Sequence, residues 1–122
     1  MTFRCLLVDD NQRFLDVARR GLERQGLHAV DTALDIDSAL QAVATRRPDV
    51  VLVDVSLGRE SGFDLVRRLA ERFSHLAGRI IMISTRDEED YAELMEGASA
   101  AGFLGKSSLS VQGIRTLIPD LP

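Results

Sequence analysis

Short unbroken apolar runs recur along this chain, and four of them end on a residue that carries chemistry. Cys5-Leu6-Leu7-Val8 leads into Asp9 and Asp10, Val50-Val51-Leu52-Val53 into Asp54, Ile80-Ile81-Met82-Ile83 into Ser84, and Gly102-Phe103-Leu104-Gly105 into Lys106. Runs of this length, mostly Val, Ile and Leu without polar alternation, are what strands buried on both faces look like. Such strands need helices on both sides, which confines the chain to an α/β layer architecture around a parallel sheet. In that arrangement the residues ending the runs gather at one sheet edge, where open α/β sheets hold their ligands.

Helix-period segments fall between the runs. Residues 3 to 8 read as the first strand, followed by a helix over about 12 to 25 with Asn11 as N-cap and Phe14, Val17, Ala18, Gly21 and Leu22 on its inner face. Gly26 supplies the stop, and His28 to Thr32 forms the second strand. Asp35 caps a second helix with Ala39, Leu40, Val43 and Ala44 inward, which must end before Pro48. After the strand at 50 to 53, a Gly- and Ser-containing loop leads to Ser61-Gly62-Phe63-Asp64, a capping-box-like start for a helix carrying Val66, Leu69, Ala70 and Phe73. A strand at 79 to 83 precedes a helix with an acidic start (Asp87 to Asp90) and Leu94 and Met95 inward, then a fifth strand and a last helix near 110 to 118. Five strand-then-helix repeats predict a doubly wound, five-stranded parallel sheet with right-handed crossovers and helices on both faces. The strand order 2-1-3-4-5 would bring Asp9, Asp10 and Asp54 together, although periodicity does not choose it.

A length of 122 residues fits one domain, which we take as 1–118 with 119–122 as a C-terminal tail or the start of a linker. The formal net charge of -4 argues against nonspecific binding to a nucleic-acid backbone, and the arginine pairs read as solvated helix faces. A single cysteine, Cys5, allows no intrachain disulfide and reads as a buried thiol, in keeping with a reducing cytoplasm. Neither a signal peptide nor a membrane span is expected.

Three carboxylates in one cleft repel each other, so one should have a raised pKa unless a cation lies among them. With oxygen-only donors that cation is best Mg²⁺; His28 and His75 lie away from this edge, which disfavours zinc. A carboxylate beside Mg²⁺ is a competent nucleophile toward phosphorus, and Asp54, a lone acid directly after a buried strand, is the best candidate. Lys106 offers a cation for phosphoryl oxygens, and Ser84 or Thr85 a hydroxyl donor.

The motifs LVDDN, VLVDVSLGRESGFDL, IIMIST and GFLGKS, in this order and at these strand ends, resemble the receiver domain of bacterial two-component response regulators. The resemblance covers nearly the whole chain and implies the flavodoxin-like order 2-1-3-4-5. It implies that Asp54 accepts a phosphoryl group from a histidine kinase, that Asp10 ligates Mg²⁺ directly and Asp9 mostly through water, and that the main-chain carbonyl of Ser56 completes the protein ligands. Ser84 and Phe103 match the hydroxyl and aromatic switch positions, and Lys106 the lysine that contacts the phosphoryl group. The implied output is a change in the face made by helix four, strand five and helix five, acting on a partner, a homodimer contact or a DNA-binding output domain beyond residue 122. Such a module is not a turnover enzyme; its only chemistry is autophosphorylation from small phosphodonors and autodephosphorylation.

Three departures stand out. Ser107 replaces the usual proline after the lysine, so a trans bond and an altered loop are expected. Gly58 replaces a frequent proline, which should loosen the loop after Asp54. Arg86 and Ser56 match positions that tune dephosphorylation in the resembled family. The segment GASAAGFLGKSSLS looks like receivers with a LuxR-type helix-turn-helix output. Two other readings are weighed: a receiver-like scaffold that binds a partner without phosphorylation, and a phosphoester hydrolase, which the absence of a second acid two residues after Asp54 disfavours.

Overall fold

In the computed structural model, which describes residues 3–85 and 100–122, the strands are β1 (Cys5–Val8), β2 (Val30–Ala33), β3 (Val50–Asp54), β4 (Ile80–Ser84) and β5 (Gly102–Gly105). All pair in parallel in the order β2-β1-β3-β4-β5, the doubly wound order that brings strands one and three together. The helices are α1 (Gln12–Arg24), α2 (Ile36–Arg46), α3 (Gly62–Arg72) and a C-terminal helix (Val111–Leu117). The predicted helix beginning at Asp87 lies outside the described residues.

Alternation along the central strands divides the core in two. Leu6, Val8, Val51 and Val53 point to the side covered by Ile36, Ala39 and Val43 of α2 and Leu65, Val66 and Leu69 of α3. Cys5, Leu7, Val50 and Leu52 point to the other side, covered by Leu15 and Leu22 of α1 and Ile114 of the C-terminal helix. Both sides of β1 and β3 are therefore shut off from water, which is why their sequences show no polar alternation. Burial, reinforced by the Asp31 carboxylate, pushes the Cys5 thiol up, so it behaves as a small apolar group.

Three of the helix starts have the predicted caps. Asn11 Oδ1 accepts the Phe14 N–H, Asp35 and Ser38 form a reciprocal capping box, and Ser61 Oγ accepts the Phe63 N–H. The Ser61 motif departs from the expected box at its fourth residue, because Asp64 pairs with Arg67 and Arg68 one turn along. The inner face of α1 is also rotated from the expected one. Leu15 is buried and Val17 is 55% exposed, since the stripe follows Phe14, Leu15, Ala18 and Leu22.

Beyond the C-terminal helix the chain folds back on the sheet's N-terminal edge. Leu121 is buried, Asp120 pairs with Arg79 at 3.1 Å, and the Arg115 guanidinium donates to the carbonyls of Leu121 and Pro122 while covering the Phe3 ring. None of the described helices is long and apolar enough to cross a membrane.

Candidate functional site

Register sets the site. Val8 pairs with Val53, so the residues after them, Asp9 and Asp54, lie side by side, and Asp54 in turn pairs with Ile83, the residue before Ser84. Asp9 extends the ladder by one bond, its N–H donating to Ala33, and its carboxylate is completely buried. Asp10 turns outward and is exposed. One oxygen from each of Asp9, Asp10 and Asp54 lies within 4.8 Å of the others.

Lys106 enters from the end of β5. Its Nζ is 2.6 Å from Asp9 Oδ2 and 3.4 Å from Asp54 Oδ2, so the ammonium sits between the two buried acids. Burial pushes the Asp54 carboxyl up to about 6, with the Asp9 charge adding to the rise and Lys106 and the Ser56 N–H opposing it. Burial pulls the Lys106 ammonium down, but the two aspartates outweigh it and the net shift is upward.

Ser84 ends β4 as a buried residue paired in register with Gly105, directly beside the start of the Lys106 turn. Thr85 is exposed. Phe103 pairs with Met82 and packs, half-buried, on the core side covered by α2 and α3. Among the described residues no peptide bond is cis, so Lys106-Ser107 is trans. Arg86, Leu94 and Met95 fall outside the described residues.

The loop after Asp54 differs from the expected slack segment. Ser56–Leu57 and Glu60–Ser61 pair as a small antiparallel hairpin whose connection is Gly58-Arg59, with Gly58 at φ 67°. Proline, fixed near -65°, cannot take that conformation, so the glycine here closes a tight turn. Glu60 then accepts the N–H of Ile36, tying the hairpin to the start of α2.

Two contributors are missed by motif reasoning. A Cβ at Gly62 would lie 1.9 Å from the Asp54 carbonyl oxygen, so only glycine lets α3 start against the end of β3. Phe14 places its ring 4.3 Å from Lys106 Nζ. The glycine is visible inside SGFD, but the aromatic contact joins residues distant in sequence, and no local spacing reports it.

The donor set suits a hard divalent cation: oxygen atoms only, one acid buried, one exposed, one at a strand end. A Cβ at Gly58 would lie 3.4 Å from Asp10 Oδ2, an ordinary contact, so it is the positive φ and not space beside that carboxylate that calls for glycine here. Asp9, Asp10 and Asp54 are the side chains that would hold the ion.

The family model described as the response regulator receiver domain matches residues 5–118. The alkaline phosphatase synthesis transcriptional regulatory protein PhoP of Bacillus subtilis is 32% identical over 89 residues, 73% of this chain and 36% of that protein. The chain therefore spans about a third of the length of this relative. A LuxR-family two-component response regulator from Aurantimonas sp. superposes with a TM-score of 0.84 at 27% identity, covering 99% of this chain and 89% of that one. The Vibrio cholerae chemotaxis protein CheY4 superposes at 0.82 over the whole of both chains, and at 23% identity this likeness speaks for the fold.

Proposed function

Because the chain belongs to the response regulator receiver domain family, we propose that it is a phosphorylation-dependent signalling switch whose phosphoacceptor is Asp54. The observation that carries this reading is the packing of Asp54 at the end of a central strand against Asp9, Asp10 and Lys106. The phosphodonor is a histidine kinase. An Asp54 carboxylate oxygen attacks phosphorus, the P–N bond of the phosphohistidine breaks, and the departing imidazole nitrogen keeps the electron pair and takes a proton.

The nucleophile must be ionised. Burial raises the Asp54 carboxyl to about 6, and Lys106 beside it favours the carboxylate form that the attack requires. Asp9, Asp10, Asp54 and the Ser56 carbonyl would hold Mg²⁺, and the ion would supply positive charge to offset that of the phosphoryl oxygens. Lys106 shifts from its pairing with Asp54 to a phosphoryl oxygen, and the Ser84 hydroxyl donates to another. Phe103 repacks with that movement, and the face containing β5 and the C-terminal helix changes its partners.

The partners of that face are an output segment outside these residues, such as a LuxR-type DNA-binding domain, or a second copy of the chain. The site of action is the cytoplasm, and this domain makes no direct nucleic-acid contact. Intact-mass measurement after incubation with acetyl phosphate and Mg²⁺ tests the reading. One added phosphoryl group is expected on the parent chain and none on Asp54→Asn; equal labelling of the two removes Asp54 from the role, and no labelling of either favours a phosphorylation-independent scaffold.

A further inference from the structure

Lys106 follows directly on β5, which is paired with β4 as far as Gly105, and the lysine itself stands on a short turn. β5 begins and ends with glycine, Lys106 opens a single 3-10 turn (Lys106–Ser108), and that turn is closed by a long Leu109 N–H to Lys106 carbonyl bond of 3.5 Å. Ser107 is exposed. A lysine with four rotatable bonds on such a base has many positions available, and each one lost costs side-chain entropy.

Its ammonium is nevertheless enclosed, with a side-chain exposure of 15%. A closed circuit of contacts surrounds it. Asp9 Oδ1 accepts the Asn11 N–H at 2.9 Å, and Asn11 Oδ1 accepts the Phe14 N–H at 3.1 Å. The Phe14 ring centroid lies 4.3 Å from Lys106 Nζ, and Nζ lies 2.6 Å from Asp9 Oδ2, which returns the circuit to its start. The first turn of α1 is thus anchored to the same carboxylate that pairs with the lysine, and the ring is delivered to the ammonium by that anchoring. An aromatic face within 6 Å of a largely desolvated ammonium attracts it through the ring quadrupole.

We infer that Phe14 is a positioning residue for Lys106, its ring holding the ammonium between Asp9 and Asp54. The inference rests on the phosphoacceptor reading of Asp54. Phe14 also packs on the apolar cluster under α1, so a purely structural role must be separated from this one. Leucine keeps apolar bulk and loses the ring, whereas tyrosine keeps the ring.

The test is the initial rate of Asp54 labelling by acetyl phosphate at fixed Mg²⁺, in the full chain. Phe14→Leu is expected to label about fivefold more slowly, and Phe14→Tyr close to the parent rate. In a Lys106→Met background, Phe14→Leu should cause no further loss. A parent-like rate for Phe14→Leu, or the same fold loss with and without Lys106, overturns the inference. Should Phe14→Leu lose its cooperative thermal transition, Phe14→Met carries the same expectations.

A second readout is independent of labelling. The Lys106 Cε protons should be shifted upfield by the ring in NMR spectra of the parent and return toward ordinary lysine positions in Phe14→Leu. No upfield shift in the parent overturns the contact. An unlabelled parent that keeps the shift counts against the Asp54 reading while upholding the contact of Phe14 with Lys106.

Discussion

Burial works against the charged forms of both Asp54 and Lys106, with Asp9 adding to that effect at Asp54 and the two aspartates reversing it at Lys106. Burial and the Asp9 charge raise the Asp54 carboxyl to about 6, whereas the unfolded chain releases that proton near pH 4. Between those values the folded state binds the extra proton, so in metal-free protein this residue's contribution to stability falls as pH rises and is constant above. Asp54→Asn has no such titration. Its stability relative to the parent should therefore increase by roughly 1 to 3 kcal/mol from pH 4 to pH 7, measured by urea unfolding at each pH in the presence of a chelator. Lys106→Met acts in the opposite direction. It leaves the fully buried Asp9 without its cation, and metal-free stability should drop by about 2 to 4 kcal/mol, with Mg²⁺ restoring part of it. At this scale the three aspartates were legible because an acid interrupting an apolar run is conspicuous. The placement of Lys106 was legible as a strand end, but its burial between two acids and an aromatic ring depends on packing that no local pattern encodes.

Between residues and the whole sheet stand the joints where one element hands over to the next. Gly62 is the tightest of them, with its N–H donating to the Val55 carbonyl at 2.8 Å and no room for a methyl group against Asp54. Gly62→Ala should therefore cost about 2 kcal/mol of stability and slow Asp54 labelling, because α3 must back away from the end of β3 at Asp54. Thermal unfolding and the labelling rate together check this. The hairpin of residues 56–61 is a second joint: Gly58 supplies its positive φ, and Glu60 fastens it to α2. Glycine in place of the family's frequent proline reads as slackness here, since glycine serves mobile loops and tight turns alike, and only the pairing of Ser56 with Ser61 distinguishes the two. The caps at Asn11, Asp35 and Ser61 were readable because capping depends on neighbours a few residues away. The inner face of α1 is not legible in the same way, because Val17 and Leu15 are both apolar and only docking on the sheet decides which is covered.

Across the molecule the two edges of the sheet do different work. The C-terminal edge collects Asp9, Asp10, Asp54, Ser84 and Lys106, while at the other edge Arg115, Arg79 and Leu121 fasten the last residues to the core. Leu121→Ala should lower stability by about 2 kcal/mol, seen as a reduced thermal midpoint, and leave the rate of Asp54 labelling unchanged. The strands were legible from composition, and their order followed from the family resemblance, since periodicity is silent about neighbours. The parallel register has a further consequence. Advancing one strand by a single residue displaces its end by about 3.3 Å and turns every side chain to the opposite face. The strands thus serve as a ruler that fixes where Asp54 stands relative to Asp9 and Lys106. Insertions and deletions inside a strand should be far more damaging than changes of residue type on the outer helix faces, because the former alter the measurement itself.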